Sequence, residues 1–200
     1  MMRVAVFASG SGSNAENLIK FWQQKPNAPA RVVLLVSGKP DAPVVDKARR
    51  LRVPVVVISR RALSHPEDLI RVLKSENIDA LVLLGFLWLL PPDLIQAYAG
   101  KILNLHPSLL PDFGGKGMYG MHVHEAVVAL GATKSGITLH VVNEEFDRGP
   151  IVAQFALDLH GHETAFELSQ RIHALEQQHV PEAVEFFLLQ QPRPNRDMIN

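Results

Sequence analysis

Residues 80–84, ALVLL, carry no polar side chain at either of the two alternating positions of a strand. A strand that is apolar on both faces must be covered on both faces, which is the condition of a parallel sheet with helices packed above and below it. The flanking sequence keeps to that arrangement. Short β-rich runs at residues 3–8, 31–36 and 55–58 precede segments of helical period that begin at Ala15 and cover residues 43–51 and 66–76, and residues 93–98 follow the apolar run in the same way. The chain therefore reads as α/β, a mostly parallel sheet with helices on both faces. Its 200 residues fit a single domain with a core large enough to need no disulfide or metal.

Ligands of such sheets meet the carboxyl ends of the strands, and two strand ends here carry polar chemistry. After the first strand come Ser9-Gly10-Ser11-Gly12-Ser13-Asn14, and a helical pattern starts at once. Glycines let backbone approach an anion, and the free N–H groups of a first helical turn favour negative charge. A dinucleotide fingerprint needs an acidic residue closing the second strand, where Ser37-Gly38-Lys39 stands instead, and Gly115-Lys116-Gly117 lacks the Ser or Thr of a phosphate-binding Walker loop. What remains is a turn suited to a terminal phosphate, or a turn of small residues with no ligand. The other end is KILNLHPSLLP, residues 101–111, where Pro107 stops the strand near His106. Asn104 and His106, two residues apart, point to one side of the sheet; they serve either as a hydrogen-bond donor with a proton shuttle or as a turn cap with an ordinary strand-end histidine.

The rest of the chain is less specific. Residues 85–92, GFLWLLPP, form either an apolar slot or simple packing under the next helix. Residues 112–120 hold four glycines and read as a mobile surface loop, a candidate lid. His122 and His124 lie at i, i+2 at the start of a helix, point apart and lack a completing carboxylate, so no metal is expected. Two further β runs, at 136–142 and 151–157, flank residues 143–150 in a hairpin-like, antiparallel connection in which Gly149 and Pro150 fix the backbone beside Asp147. A long helix is expected over residues 164–189 with a kink or second start at Pro181, and residues 191–200 form a loosely composed tail.

Composition removes several function classes. Twenty Lys and Arg balance twenty Asp and Glu, so there is no basic footprint for nucleic acid or an anionic membrane, and small-molecule substrates are expected. Cysteine is absent, which removes thiol catalysis and cysteine-ligated zinc together. The opening MMRVAVFASGSGSN is too briefly apolar for a signal or membrane-spanning segment, and the expected location is cytoplasmic. Nothing in the sequence sets an oligomeric state.

Taken together, GSGSN after the first strand, Gly85-Phe86, N-x-HPSLLP from Asn104, H-x-V-x-x-x-x-D-x-G-P-I from His140 and the late Glu176 resemble, in this order and over essentially the whole chain, the glycinamide ribonucleotide (phosphoribosylglycinamide) formyltransferases, a folate-dependent family of de novo purine biosynthesis. The resemblance implies a Rossmann-like formyltransferase fold with an antiparallel C-terminal extension, residues 1–100 forming a phosphate-binding half and residues 101–200 a folate-binding and catalytic half. It implies 10-formyltetrahydrofolate as co-substrate, with no metal. Asn104, His106 and Asp147 take the positions of the catalytic trio. Gly12, Ser13, Asn14 and Glu176 match the ribonucleotide site, and the folate pterin is expected between Leu87, Trp88, Leu89 and Leu90 on one side and Asn143, Glu144, Glu145, Phe146 and Asp147 on the other, with Asn104 beside it. Leu87-Trp88 stands where members commonly carry Met-Arg, and Gln177 where a His often follows the Glu.

That chemistry moves a formyl group from a folate nitrogen to an amine through a tetrahedral oxyanion, with Asn104 and a protonated His106 as donors. On this reading the Asp147 carboxylate raises the His106 pKa above its reference of about 6.5, and no covalent intermediate forms. Among related formyltransferases, one acting on an amino sugar nucleotide stays open, whereas one acting on initiator methionyl-tRNA is disfavoured by the neutral charge and by the lack of room for a further domain. A formyl-folate hydrolase is disfavoured because residue 3 already opens the first strand, and a non-catalytic nucleotide-binding module would leave Asn104, His106 and Asp147 without a role.

Overall fold

A computed structural model describes residues 1–192; residues 193–200, most of the loosely composed tail, lie outside the described residues. Seven strands form one sheet, in the order β3 (Val55–Val57), β2 (Ala30–Ser37), β1 (Met2–Phe7), β4 (Ala80–Leu83), β5 (Ile102–His106), β6 (Lys134–Val141) and β7 (Ile151–Asp158). The first five are mutually parallel, whereas β6 runs antiparallel to both β5 and β7. The apolar run behaves as its pattern requires: Ala80 and Val82 enter the core on one face, and Leu81 and Leu83 enter the core on the other. The first face is covered by α1 (Ser13–Gln24), α2 (Pro43–Arg50), α6 (Met121–Ala129) and α7 (Ala165–Leu189), the second by α3 (Arg60–Ser64), α4 (Glu67–Ser75) and α5 (Pro92–Ala97).

Strand order reverses at β1, with β2 on one side and β4 on the other, so the loops after β1 and β4 leave in different directions and open a crevice between them. Backbone bonds still tie the two exits, Ser9 N–H to Gly85 O at 3.3 Å and Leu84 N–H to Phe7 O at 2.9 Å.

Two local readings need correction. The five-residue helix α3 was not expected; Ser59 starts it by accepting from Ala62 N–H at 3.1 Å. Of the kink or second start expected at Pro181, the second start does not occur: α7 is one helix of 25 residues opened by a reciprocal Thr164–Glu167 capping box. A proline inside a helix strands the carbonyl four residues back, and here the Gln177 carbonyl receives Asn17 Nδ2 of α1 at 2.7 Å. The helix contact thus replaces the bond that proline removes. No described helix is long and apolar enough to cross a membrane.

Candidate active site

The crevice is a cavity of about 360 Å³. Its wall at one end is the β1–α1 turn. Gly12 takes φ +71° as the residue before α1, with its α-carbon side pressed on Val44 of α2 so closely that a Cβ would overlap that side chain. No side chain caps this helix start, which leaves N–H groups of the first turn for a ligand. Gly12, Ser13 and Asn14 all line the cavity, as does Glu176 of α7. The Asn14 side chain, however, is spent on α7: Nδ2 donates to Glu176 Oε2 at 2.8 Å, and Oδ1 accepts from Gln177 Nε2 at 2.6 Å. With its side chain committed there, what Asn14 has left to offer a ligand is its backbone. Burial pushes the Glu176 carboxyl up, against the opposing pull of Asn14 and His173, which lies 3.4 Å away.

A second wall is the segment after β4. Phe86 and Leu90 are buried, while Leu87 and Leu89 are half exposed, so the stretch both packs and lines the cavity. Trp88 is held from three sides: Phe86 of its own segment meets it edge-on at 5.7 Å, the guanidinium of Arg60 at the start of α3 lies 5.1 Å over its ring, and a Cβ on Gly38 after β2 would come within 2.6 Å of the indole. Asn143, Glu145, Phe146 and Asp147 form the facing wall, but Glu144 is exposed and lies off the cavity.

Between these walls sits the polar cluster. The β5–β6 register sets Asn104 opposite His140 and His106 opposite Thr138, so four polar side chains share one patch of the sheet. Asn104 Nδ2 donates to His140 Nε2 at 3.0 Å, and the other ring nitrogen of His140, Nδ1, donates to the Val141 carbonyl at 3.2 Å. Asp147 reaches both histidines: its Oδ2 is 3.6 Å from His106 Nδ1 and its Oδ1 3.5 Å from His140 Nε2. It holds φ +54°, next to a Gly149 that abuts the Val141 carbonyl too closely for any Cβ. Burial alone would raise the Asp147 pKa, but His140, the Gly115 N–H at 2.9 Å and His106 together hold it below the usual carboxylate value. His106 behaves opposite to expectation. Asp147 does pull its pKa up, but burial of the ring, only 4% exposed, outweighs that pull and lowers it, so the resting imidazole is neutral at neutral pH.

The glycine-rich loop expected to be a mobile candidate lid is tied down at its start. His106 Nε2 donates to the Phe113 carbonyl at 2.8 Å, and Gly115 binds Asp147, so residues 113–115 are fastened to the cluster. His122 and His124 do part, the first exposed and the second buried on the cavity wall with its Nδ1 unpartnered. No group of residues suited to a metal occurs among the described residues.

Several contributors escaped the sequence reading. His140 was seen only as part of a motif; the signal that could have found it is the pair of polar residues Thr138 and His140 alternating with apolar ones in one strand. The Phe113 carbonyl and the Gly115 N–H carry no side-chain signature at all.

Residues 2–184 match the family model described as formyl transferase. The chloroplastic phosphoribosylglycinamide formyltransferase of Arabidopsis thaliana is 42% identical over 175 residues, covering 85% of this chain, which spans only 60% of that protein's own length. The phosphoribosylglycinamide formyltransferase of Bacillus subtilis is 35% identical over 192 residues, covering 94% of this chain and 95% of its own. A crystal structure of the Bacillus halodurans phosphoribosylglycinamide formyltransferase superposes with a TM-score of 0.85 at 36% identity, covering 94% of this chain and 96% of that one. With its fold, its crevice and its polar cluster all on the matched residues, the chain belongs to the formyl transferase family.

Proposed function

We propose that this chain is one formyltransferase domain that moves the formyl group of 10-formyltetrahydrofolate to the amine of glycinamide ribonucleotide, giving formylglycinamide ribonucleotide and tetrahydrofolate in de novo purine biosynthesis. The observation that carries this is one cavity joining an anion-binding helix start at Gly12–Asn14, a partly apolar wall at 87–90, and the Asn104–His106–His140–Asp147 cluster between them. The phosphate takes the first, the ribose meets Glu176, and the pterin lies along the second; Arg60, held over Trp88, brings a cation to that wall. The C-terminal half supplies the proton chemistry and the N-terminal half the anion site. The lack of cysteine goes with a cytoplasmic, reducing setting.

In this reading the amine nitrogen bonds to the formyl carbon, whose oxygen becomes an oxyanion. One amide N–H of Asn104 is held by His140, which orients the other toward that oxygen. The attacking nitrogen loses its proton to His106 Nδ1, because Nε2 is already committed to Phe113. Asp147, ionised, stabilises the imidazolium beside it. As the bond from carbon to the folate nitrogen breaks, His106 returns the proton to that nitrogen. No hydroxyl is needed as nucleophile.

The test is formyl transfer from 10-formyltetrahydrofolate to glycinamide ribonucleotide by the purified chain. Formate release with no formylated ribonucleotide would instead mark water as the acceptor.

A further inference from the structure

Ser108 belongs to the HPSLLP motif, yet it does not line the cavity and is completely buried. Its hydroxyl donates to the Asp112 carbonyl at 2.7 Å and lies 3.5 Å from the Phe113 carbonyl. Its own carbonyl accepts from Thr138 Oγ1 at 2.6 Å, and the same Thr138 oxygen accepts from Leu110 N–H at 3.0 Å. The chain after β5 is therefore braced on both sides and doubles back, with Phe113 at φ +55°, an uncommon conformation for a residue with a side chain. Gly114 follows where a Cβ would overlap Leu110 and come within 3.2 Å of the Asp147 Cβ. The outcome of this turn is the Phe113 carbonyl on His106 Nε2. A carbonyl can only accept, so the proton of the neutral ring is on Nε2, and Nδ1 is left bare beside Asp147.

We propose that Ser108 is a positioning residue: its hydroxyl holds the Asp112–Phe113 turn so that the Phe113 carbonyl selects the His106 tautomer with the proton on Nε2, making Nδ1 the atom that takes up and returns the proton. The kinetic part rests on the proposed function, whereas the tautomer stands independently of it. An imidazole freed from Phe113 would distribute its proton over both nitrogens, and the fraction protonated on Nδ1 would be unable to accept a proton there.

Ring-15N histidine spectra, with the His106 signals identified by their loss in His106→Gln, should show a protonated Nε2 and a bare Nδ1 in the wild-type chain above neutral pH. Ser108→Ala should shift both signals toward the tautomer average and lower kcat about tenfold, with KM for both substrates held within about twofold. The acid limb of its pH profile should also move to lower pH, because the Phe113 bond favours the protonated ring. The other groups facing His106 are Asp147 in the β6–β7 connection, His140 on β6 and His124 on α6, all unchanged in this variant. A wild-type ring protonated on Nδ1 overturns the proposal even if Ser108→Ala does not fold. A folded Ser108→Ala chain with wild-type spectra and kcat overturns it equally. Absent formyl transfer with the expected spectra would instead reject the proposed function.

Discussion

Two glycine-rich loops meet across the cavity, and they are built on opposite principles. The β1–α1 turn is local: β1 ends, Gly12 takes the one left-handed step, α1 begins, and the anion site proposed for it is the helix start itself. The loop of residues 112–120 is non-local, its beginning bound to His106 in β5, to Ser108 and to Asp147 more than thirty residues later in the chain. The first loop makes a binding site from backbone that any strand-turn-helix could offer. The second uses backbone to orient groups that come from elsewhere. Ligand affinity should therefore belong to the first loop and turnover to the cluster that the second one fastens.

The largest effects should come from the cluster. His106→Ala removes the proton carrier and Asp147→Asn the charge that supports it, and loss of such general acid–base help costs about 10²–10⁴ in kcat. The fold should survive both, as judged by unchanged circular dichroism. If the two residues act as a unit, the double variant should be no slower than the slower single one. Near-normal kcat in either single variant would sink the mechanism.

Glycine substitutions then separate the loops. Gly12→Ala forces a Cβ into Val44 and a left-handed conformation that costs an L-residue about 1–2 kcal/mol. KM for the ribonucleotide should rise about tenfold, with a lower melting temperature and a smaller change in kcat. Gly115→Ala meets no atom within 4 Å but carries the same backbone penalty at φ +97°, and its N–H holds Asp147. Its effect should be a several-fold drop in kcat at nearly constant KM. Equal KM effects from the two would dissolve the contrast between the loops.

That contrast also explains what could be read in advance. Residues 80–84 disclosed the parallel sheet because both faces of one strand are visible in five letters, and the first glycine loop was legible because its parts are contiguous. Asn104 and His106 stood out because Pro107 marks the strand end beside them. His140 becomes meaningful only once the antiparallel β5–β6 register puts it opposite Asn104. Pro181 passes harmlessly through α7 only because Asn17, 160 residues earlier than the carbonyl it bonds, fills the gap. The direction of the His106 shift depended on burial, which no neighbouring residue encodes.

A smaller effect is expected at the wall proposed for the folate. Gly38→Ala would push on the Trp88 indole and, through it, on Arg60, so KM for the folate should rise a few-fold while KM for the ribonucleotide stays put. A matching rise for both substrates would mean that Trp88 supports the whole crevice.

The smallest shift, and the sharpest on mechanism, is in pH. Burial lowers the His106 pKa below 6.5, and Asp147 and the Phe113 carbonyl oppose it. A folded pKa below the unfolded one means that protonation disfavours the folded chain, so stability is lost as pH falls from the unfolded value through the folded one. Catalysis has the same direction: the ring must be neutral to accept at Nδ1, and the attacking amine must be neutral too, so kcat/KM should climb with pH on an acid limb and level off. The limb is a property of coupled groups, with the attacking amine contributing. Asp147→Asn removes one of the two influences that raise the His106 pKa, leaving burial less opposed. Its limb should therefore move further toward acid, by less than the full burial effect, while the plateau falls with kcat. A limb that stayed in place as the plateau fell would show that Asp147 aligns groups without tuning the proton, and one that moved toward alkaline pH would mean that His106 works from its charged form.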